Sequence, residues 1–362
     1  MAQQLLDQAA LAWLQSQPAM RVDSDIKTSM MNRRNLLRGV VGAAAVSLVA
    51  PSLGQVEIPA GQARLIFNEN PYGPSPKALA EVAKLLSNTA YYPGDIEERL
   101  SALFRDRHRL AHDQVFLASG SNEGLQAAMM AFGRQGRVIS PALTYSDHLH
   151  YAEKLGVEVL RVPLRTDMAI DGDELRSFCK EVGAKVPILI DEAYNELTDK
   201  PEYTSMVDLV RDGTNLLITR TFSKIFGMAG LRVGYGMGHP DIVKVVKDHV
   251  MAWPNGIGLY AAYYSYLDED FIAFSRDKIL EGREMVNNTF RRHNIEPLPS
   301  QTNFVYADIG LDADRFQEQM ASRNVLIRGA YGGYPTFSRI SMGRIEDLTA
   351  FDRAFSAAYS AG

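Results

Sequence analysis

A single cysteine, Cys179, among 362 residues excludes an intramolecular disulfide framework and any multi-cysteine metal site, and leaves it the role of packing on a helix. The seven histidines fall in no H-E-x-x-H or similar spacing, so no metal is expected. An excess of positive charge is also missing. The net charge of −5 offers no electrostatic footprint for nucleic acid. The longest apolar run near the N-terminus falls short of the ~20 residues that a membrane-spanning helix needs. No repeat or low-complexity tract interrupts the chain. What remains is ordinary for a globular protein, 46% hydrophobic and 22% charged, and long enough for a major and a minor domain.

Residues 1–30 are polar to mildly amphipathic and read as an N-terminal extension. Met31-Asn-Arg33-Arg34-Asn-Leu36-Leu37-Arg38 is followed by GVVGAAAVSLVA, so residues 31–55 resemble a twin-arginine export signal. Cleavage is expected between Ala50 and Gln55, with Pro51 arguing against a cut directly after Ala50. Periplasmic location follows, and no stable membrane anchor remains after removal of the signal. A cytoplasmic protein with an N-terminal helix packed on the domain is the alternative. Met30 and Met31 offer an internal start that would put the arginines at the extreme N-terminus.

Chemistry concentrates between Asn215 and Gly238, NLLITRTFSKIFGMAGLRVGYGMG. Leu216 to Ile218 read as a buried strand, and the glycine-punctuated stretch beyond it places Lys224 on a loop just past the strand end. A lysine there sheds its proton when desolvated or set near another cation, and a neutral amine forms a Schiff base with an aldehyde. Thr221, Ser223 and Arg232 suit a phosphate. An aldehyde cofactor that carries a phosphate is pyridoxal 5′-phosphate. A solvated surface lysine is the bland alternative, and the neighbouring segments decide.

The prolines and glycine in Phe67–Pro74 exclude a helix and give an extended arm. Tyr92, beside Pro93-Gly94, either packs a turn or presents its hydroxyl to a ligand. Phe116 to Ala118 is a strand, Gly120 a turn, and Ser121/Asn122 fit an N-cap before a helix from Glu123 to Phe132, where bared amides suit a phosphate. Tyr145 follows the strand Val138–Ser140 and either stacks on a flat ring or is half-buried. Val186 to Ile190 is a strand ending in Asp191-Glu192-Ala193-Tyr194, and a carboxylate at the carboxyl end of a strand falls where open α/β sheets bind ligands. Asp191 suits such a place if it faces a cation such as a pyridinium nitrogen. Near the C-terminus, Arg328 and Arg339 on neighbouring strands either fork a carboxylate or lie on the surface.

N-E-N-P at Asn68–Pro71, Y-Y-P at Tyr91–Pro93, the strand–Gly–helix turn, P-x-x-T-Y at Pro141–Tyr145, D-E-A-Y, T-F-S-K with Arg232, and R-I-S-M-G at Arg339–Gly343 occur in this order. In that arrangement the chain resembles class I/II pyridoxal-phosphate aminotransferases, and most of all their histidinol-phosphate aminotransferase branch. The resemblance implies fold type I: a large α/β domain with a mostly parallel sheet (91–250), and a small α+β domain from the arm (56–90) and the linker helices and C-terminal part (251–362). It implies Lys224 as the cofactor anchor and proton shuttle, Asp191 on the pyridine nitrogen and Tyr194 on the ring hydroxyl. Gly120, Ser121, Asn122, Thr221, Ser223 and Arg232 would hold the phosphate and Tyr145 would stack on the ring. Tyr92 would reach the phosphate of the partner subunit in a homodimer. Arg339, with Arg328, would take the substrate carboxylate, with Asn70 and Asn303 nearby. The implied reaction is ping-pong transfer of an amino group from an L-amino acid, or an amino-alcohol phosphate such as histidinol phosphate, to a 2-oxo acid.

One stretch departs from the pattern. Between Leu164 and Asp191 the family has a further strand and an asparagine-bearing loop, whereas Arg165–Val186 leaves room for a turn and one helix. A strand–helix–strand unit takes roughly 30 residues or more, so one unit is missing. His148 or Asn195 is then a candidate to replace the lost asparagine. The alternatives to transamination are another chemistry on the same cofactor, decarboxylation or elimination, and an impaired fold.

Overall fold

The computed structural model describes residues 61–359, so the extension at 1–30 and the twin-arginine segment at 31–55 lie outside the described residues. β1 (Ala63–Arg64) leads through the arm to α1 (Pro76–Ala83) and α2 (Ile96–His108). Then come β2 (Val115–Ala118), α3 (Ser121–Phe132), β3 (Val138–Pro141), α4 (Asp147–Lys154), β4 (Val159–Val162), α5 (Gly172–Gly183) and β5 (Ile188–Asp191). Two short helices, α6 (Pro201–Thr204) and α7 (Val207–Arg211), precede β6 (Leu216–Thr221) and β7 (Gly234–Gly238). Helices α8 (Pro240–Lys247), α9 (Gly256–Tyr266) and α10 (Glu269–Arg292) follow. The C-terminal part is β8 (Phe304–Asp308), α11 (Ala313–Ala321), β9 (Val325–Leu326), β10 (Phe337–Ser341) and α12 (Ile345–Tyr359).

β2, β7, β6 and β5 form a four-stranded sheet in that order. β5 and β6 run parallel, while β7 is antiparallel to both of its neighbours. Three of its four strands run the same way, and β7 alone opposes them because it comes back beside β6 through an irregular loop with no crossover helix. Its GYGMG sequence does not announce a strand, since glycine weakens one. Packing demands it here, because a Cβ on Gly236 would collide with the Phe116 ring.

The sheet is divided where the sequence is short. β3 and β4 pair only with each other, in parallel, and among the described residues β5 has β6 as its single partner. The stretch between β4 and β5 carries α5 alone, with Cys179 buried on its inner face. On the β3–β4 pair, Ile139 faces solvent at 71% exposure beside its register partner Leu160.

Beneath the carboxyl ends of the strands lies an aromatic core. Phe104 stacks on Tyr235 with ring centres 3.8 Å apart, and Phe222, Phe226 and Tyr266 complete the cluster. Under it, Arg220 on β6 donates to Glu192 just beyond β5 (Nη2–Oε2 2.7 Å), and both side chains are buried. Glu192 also accepts from Ser205 Oγ and from the Met206 amide at 2.9 and 2.7 Å. Every lone pair facing the core therefore has a partner, which a buried ion pair needs to repay its desolvation.

Because an unpaired buried charge is far costlier than an absent pair, Arg220→Met alone should lower unfolding free energy by about 3–5 kcal/mol. The double variant Arg220→Met/Glu192→Leu should recover more than half of that loss. Urea midpoints of the three proteins check both, and equal midpoints for single and double variants would contradict the pairing.

Candidate active site

The loop after β6 is held by alternation. Phe222, Ile225 and Phe226 are almost wholly buried in the aromatic core, which turns Ser223 and Lys224 the other way, toward the cleft. Lys224 Nζ donates to the carbonyl of Asn68 on the arm at 3.1 Å and lies 5.6 Å from the centre of the Tyr194 ring. Burial pushes its pKa down to about 8, and the charge of Arg339 pushes it the same way. Asp191 and Glu69 oppose the shift, while Arg232 adds to it.

Asp191 ends β5, and its Oδ1 accepts from Thr219 Oγ1 on β6 at 2.9 Å. Crowding by protein raises its pKa to about 6 against the pull of the Thr219 hydroxyl and the Lys224 charge, although solvent still reaches the residue. Tyr194 sits beside it, its hydroxyl oxygen accepting from Asn68 Nδ2 at 3.1 Å, and burial pushes its pKa up to about 12. Tyr145 is half-exposed, donates to Asp147 at 2.8 Å and lies nearly parallel to His148 with ring centres 6.0 Å apart. Burial raises the Tyr145 phenol, and both Arg232 and Asp191 are near enough to act on it.

The turn between β2 and α3 meets Arg232. Gly120, not Ser121 or Asn122, takes the N-cap position of α3, at φ 77°, and no side chain caps the helix. The expected cap is thereby corrected: the sharp turn needs a positive φ, which glycine adopts without strain. The guanidinium of Arg232 lies directly on Gly120, where a Cβ would collide with it, and a Cβ on Gly234 would strike the Ser121 amide. Arg232 Nη1 donates to Ser223 Oγ at 3.3 Å, and Thr221 Oγ1 donates to the same oxygen at 2.9 Å. Asn122 Oδ1 is buried without a partner. Open helix amides, a cation and two hydroxyls in one concavity suit a phosphate.

On the other wall, Arg339 on β10 donates to the Ile66 carbonyl at 3.1 Å, and its buried Nε has no partner. Arg328 bridges to it backbone to backbone, and both guanidinium groups lie 5.3 Å from the Tyr331 ring centre.

Two expected residues are placed differently, and Tyr92 lies apart from them. Asn70 is buried, with Nδ2 given to the Ile225 carbonyl and Ser275 Oγ and Oδ1 taken by the Tyr72 amide. Its polar groups are spent on joining the arm to the lysine loop, so it is scaffold rather than a substrate contact. Asn303 is fully buried and donates to the carbonyls of Asn68 and Glu69, which makes it a prop for the arm. Tyr92 is 82% exposed against Trp253, away from its own chain's cluster. Asn195 is consumed by Pro201 and Thr204 and cannot replace a missing ring contact. His148 stays under Tyr145 with Nδ1 unpartnered. Among the described residues no group of His, Cys, Asp and Glu could hold a metal.

Asn68, Thr219 and Tyr331 belong to the site and are not read from sequence. Thr219 is two positions before Thr221 on one strand face, a signal that was available. Asn68 lies in the N-E-N-P motif, one asparagine before the one singled out. Tyr331, in a glycine-rich loop, carries no signal.

The chain belongs to the aminotransferase class I and II family, which it matches over residues 62–182 and 169–354. It is a transaminase acting on amino and oxo acids with pyridoxal 5′-phosphate as cofactor. The cradle, the amine at its edge and Asp191 beyond it fit that group. A histidinol-phosphate aminotransferase 1 of Thiobacillus denitrificans is 32% identical over 330 residues, covering 82% of this chain and 85% of that protein. A histidinol-phosphate aminotransferase of Brevibacillus brevis is 29% identical, covering 78% of this chain and 86% of its own length. In fold, the chain is similar to histidinol-phosphate aminotransferase from Sinorhizobium meliloti in complex with pyridoxal-5′-phosphate, with a TM-score of 0.73, 20% identity, and coverage of 83% of this chain and 91% of that one.

The Brevibacillus alignment is 314 residues long yet takes up 78% of 362 residues, about 282, so some 30 positions are filled by the relative alone. That is the size of one strand–helix unit, and the sheet is divided at one place.

Gly120→Ala, which strains φ and displaces the Arg232 guanidinium, should weaken binding of inorganic phosphate to the cofactor-free protein about tenfold or more, or about 1.4 kcal/mol. Isothermal titration checks it. Unchanged affinity would show that the phosphate is held elsewhere.

Proposed function

We propose that the chain moves an amino group from an L-amino acid to a 2-oxo acid by alternating half-reactions, with both acids held through their carboxylate. The observation that carries this reading is Arg339 beside Lys224, with Arg328 sharing the Tyr331 ring with it. Arg339 keeps a buried, unpartnered Nε and is the strongest charge acting on the lysine amine. A buried cation without an anion in its own chain calls for one from the ligand.

When bound, the cofactor supplies an electron sink for charge left at the substrate Cα. The residues do the rest. Lys224, half in its neutral form near pH 8, would anchor the cofactor through its amine and would hold and move the proton at the substrate Cα. Asp191, ionised above its pKa of about 6, would face the ring nitrogen and favour its protonated form. Tyr194 would direct its hydroxyl at the ring oxygen, and Gly120, Ser121, Asn122, Thr221, Ser223 and Arg232 would hold the phosphate. Histidinol phosphate as donor is the second reading, favoured by the names of the relatives, with Arg328 meeting its phosphate.

Exposed Tyr91, Tyr92, Met251 and Trp253 support a homodimer in which Tyr92 reaches the partner's phosphate cradle. Sedimentation should give a dimer for the wild type and a monomer for Trp253→Asp. A wild-type monomer contradicts it.

Purified protein should show a visible absorption band with pyridoxal 5′-phosphate that Lys224→Ala lacks, and particular amino acids should bleach it. Below about pH 8 the neutral fraction of Lys224 falls about tenfold per pH unit. The second-order rate of cofactor capture should therefore rise with pH and level off above about 8. Identical wild-type and Lys224→Ala spectra, or a pH-independent capture rate, would remove Lys224 from its role.

A further inference from the structure

Asn68 is buried with φ 55°, in the left-handed region that asparagine tolerates better than other side-chain-bearing residues. Its contacts run in one direction. Its amide N–H donates to Ser341 Oγ at 2.9 Å, and the Ser341 hydroxyl donates back to Asn68 Oδ1 at 2.7 Å. In this arrangement Oδ1 faces the Ser341 hydroxyl and Nδ2 points to the Tyr194 hydroxyl, 3.1 Å away. Tyr194 accepts there, which leaves its own hydrogen free to be donated elsewhere. Meanwhile the Asn68 carbonyl accepts from Lys224 Nζ at 3.1 Å and from Asn303 Nδ2 at 2.8 Å.

We propose that Asn68 is a positioning residue for the transamination site: its side-chain amide saturates one side of the Tyr194 oxygen and thereby aims the Tyr194 proton at the cofactor ring, while its carbonyl holds the Lys224 amine. The proposal rests on the roles given above to Lys224 and Tyr194. Asparagine suits the position. Glycine could take the same φ but has no amide, and aspartate would draw the phenolic proton toward itself. Ser341 locks the amide from β10, and Asn303 locks the carbonyl from the start of β8, so two C-terminal strands fix a residue of the N-terminal arm against two groups of the central sheet.

A donor aimed at the ring oxygen favours the form in which that oxygen is charged and the Lys224 nitrogen has shed its proton. The test is a pH titration of the visible band of the cofactor-loaded protein in four forms: wild type, Asn68→Gly, Tyr194→Phe and the double variant. Glycine deletes the amide and keeps the backbone conformation. Asn68→Gly should raise the titration midpoint by about one pH unit in the wild-type background, and by less than about 0.3 unit in Tyr194→Phe, the non-additivity expected of coupled groups. Loss of the Ser341 bonds should also lower the melting temperature by about 2–4 °C in both backgrounds. A fall in melting temperature with no shift of the midpoint makes Asn68 structural only and overturns the proposal, as does an equal shift in both backgrounds. If the wild type shows no visible band, the cofactor role of Lys224 falls and this inference with it. A wild-type band with an unmoved midpoint removes this inference alone.

Discussion

A lysine amine kept short of its proton is the constraint around which the site is arranged. An exposed lysine near neutral pH is a hydrated cation with no nucleophilic lone pair. At Lys224 that state is disfavoured in two ways: protein crowds out water, and the Arg339 charge stands on the opposite wall. Asp191 pulls the other way, so the balance stops near pH 8, where the amine is available without being stripped of all acidity. The cost of holding a lysine in this position falls on Phe222, Ile225 and Phe226. Their burial pins the loop so that Lys224 is held in the cleft, only partly open to solvent.

The arm then closes the site from the other end of the chain. The Asn68 carbonyl accepts a hydrogen bond from the lysine amine, Asn70 ties the arm to the carbonyl of Ile225, and Asn303 holds the arm's own carbonyls. Asn68 and Asn70 are buried polar groups with their capacity largely spent, and Asn303 adds its Nδ2, which specifies one geometry more sharply than apolar packing could. Two asparagines expected to face substrate prove instead to be the means by which three distant stretches share one register.

Much of this was legible in the sequence for a simple reason. Strand ends and helix starts obey local rules, so the neighbourhoods of Gly120, Asp191, Lys224 and Arg232 could be located from apolar runs and turn residues alone. Family resemblance then supplied what adjacency could not, namely that these four loops meet. Illegible features share a different cause. β7 looks like a loop because its glycines answer to contacts with Phe116 and the Ser121 amide, which are far away in sequence. Asn70 and Asn303 carry the chemistry of a ligand contact, and only the positions of Ile225, Ser275 and the arm carbonyls reveal that Asn70 is already satisfied and that the Asn303 Nδ2 is taken. Tyr331 has no signal at all, because its importance comes from two arginines converging on it.

The division of the sheet bears on whether such a site can survive the loss of a strand. Open β sheets place ligands at strand ends, so what matters is which strands carry the groups. Asp191 comes from β5, Thr219 to Lys224 from β6, Arg232 from the approach to β7, and the anion cradle from β2 and α3. All lie on the four-stranded sheet that remains hydrogen-bonded throughout. The arm and β10 supply the opposite wall and owe nothing to the missing unit. Only Tyr145 is delivered by the severed β3–β4 pair, and its ring is tethered by Asp147 and His148 within its own segment and by Tyr331, which donates to the Thr144 carbonyl at 3.2 Å. The break therefore falls between the groups that bind and activate the cofactor and the ring that would cover its face. The division leaves β5's edge and the exposed face around Ile139 uncovered by a strand, while the lysine, its counter-charges and the phosphate cradle stay on the four-stranded sheet.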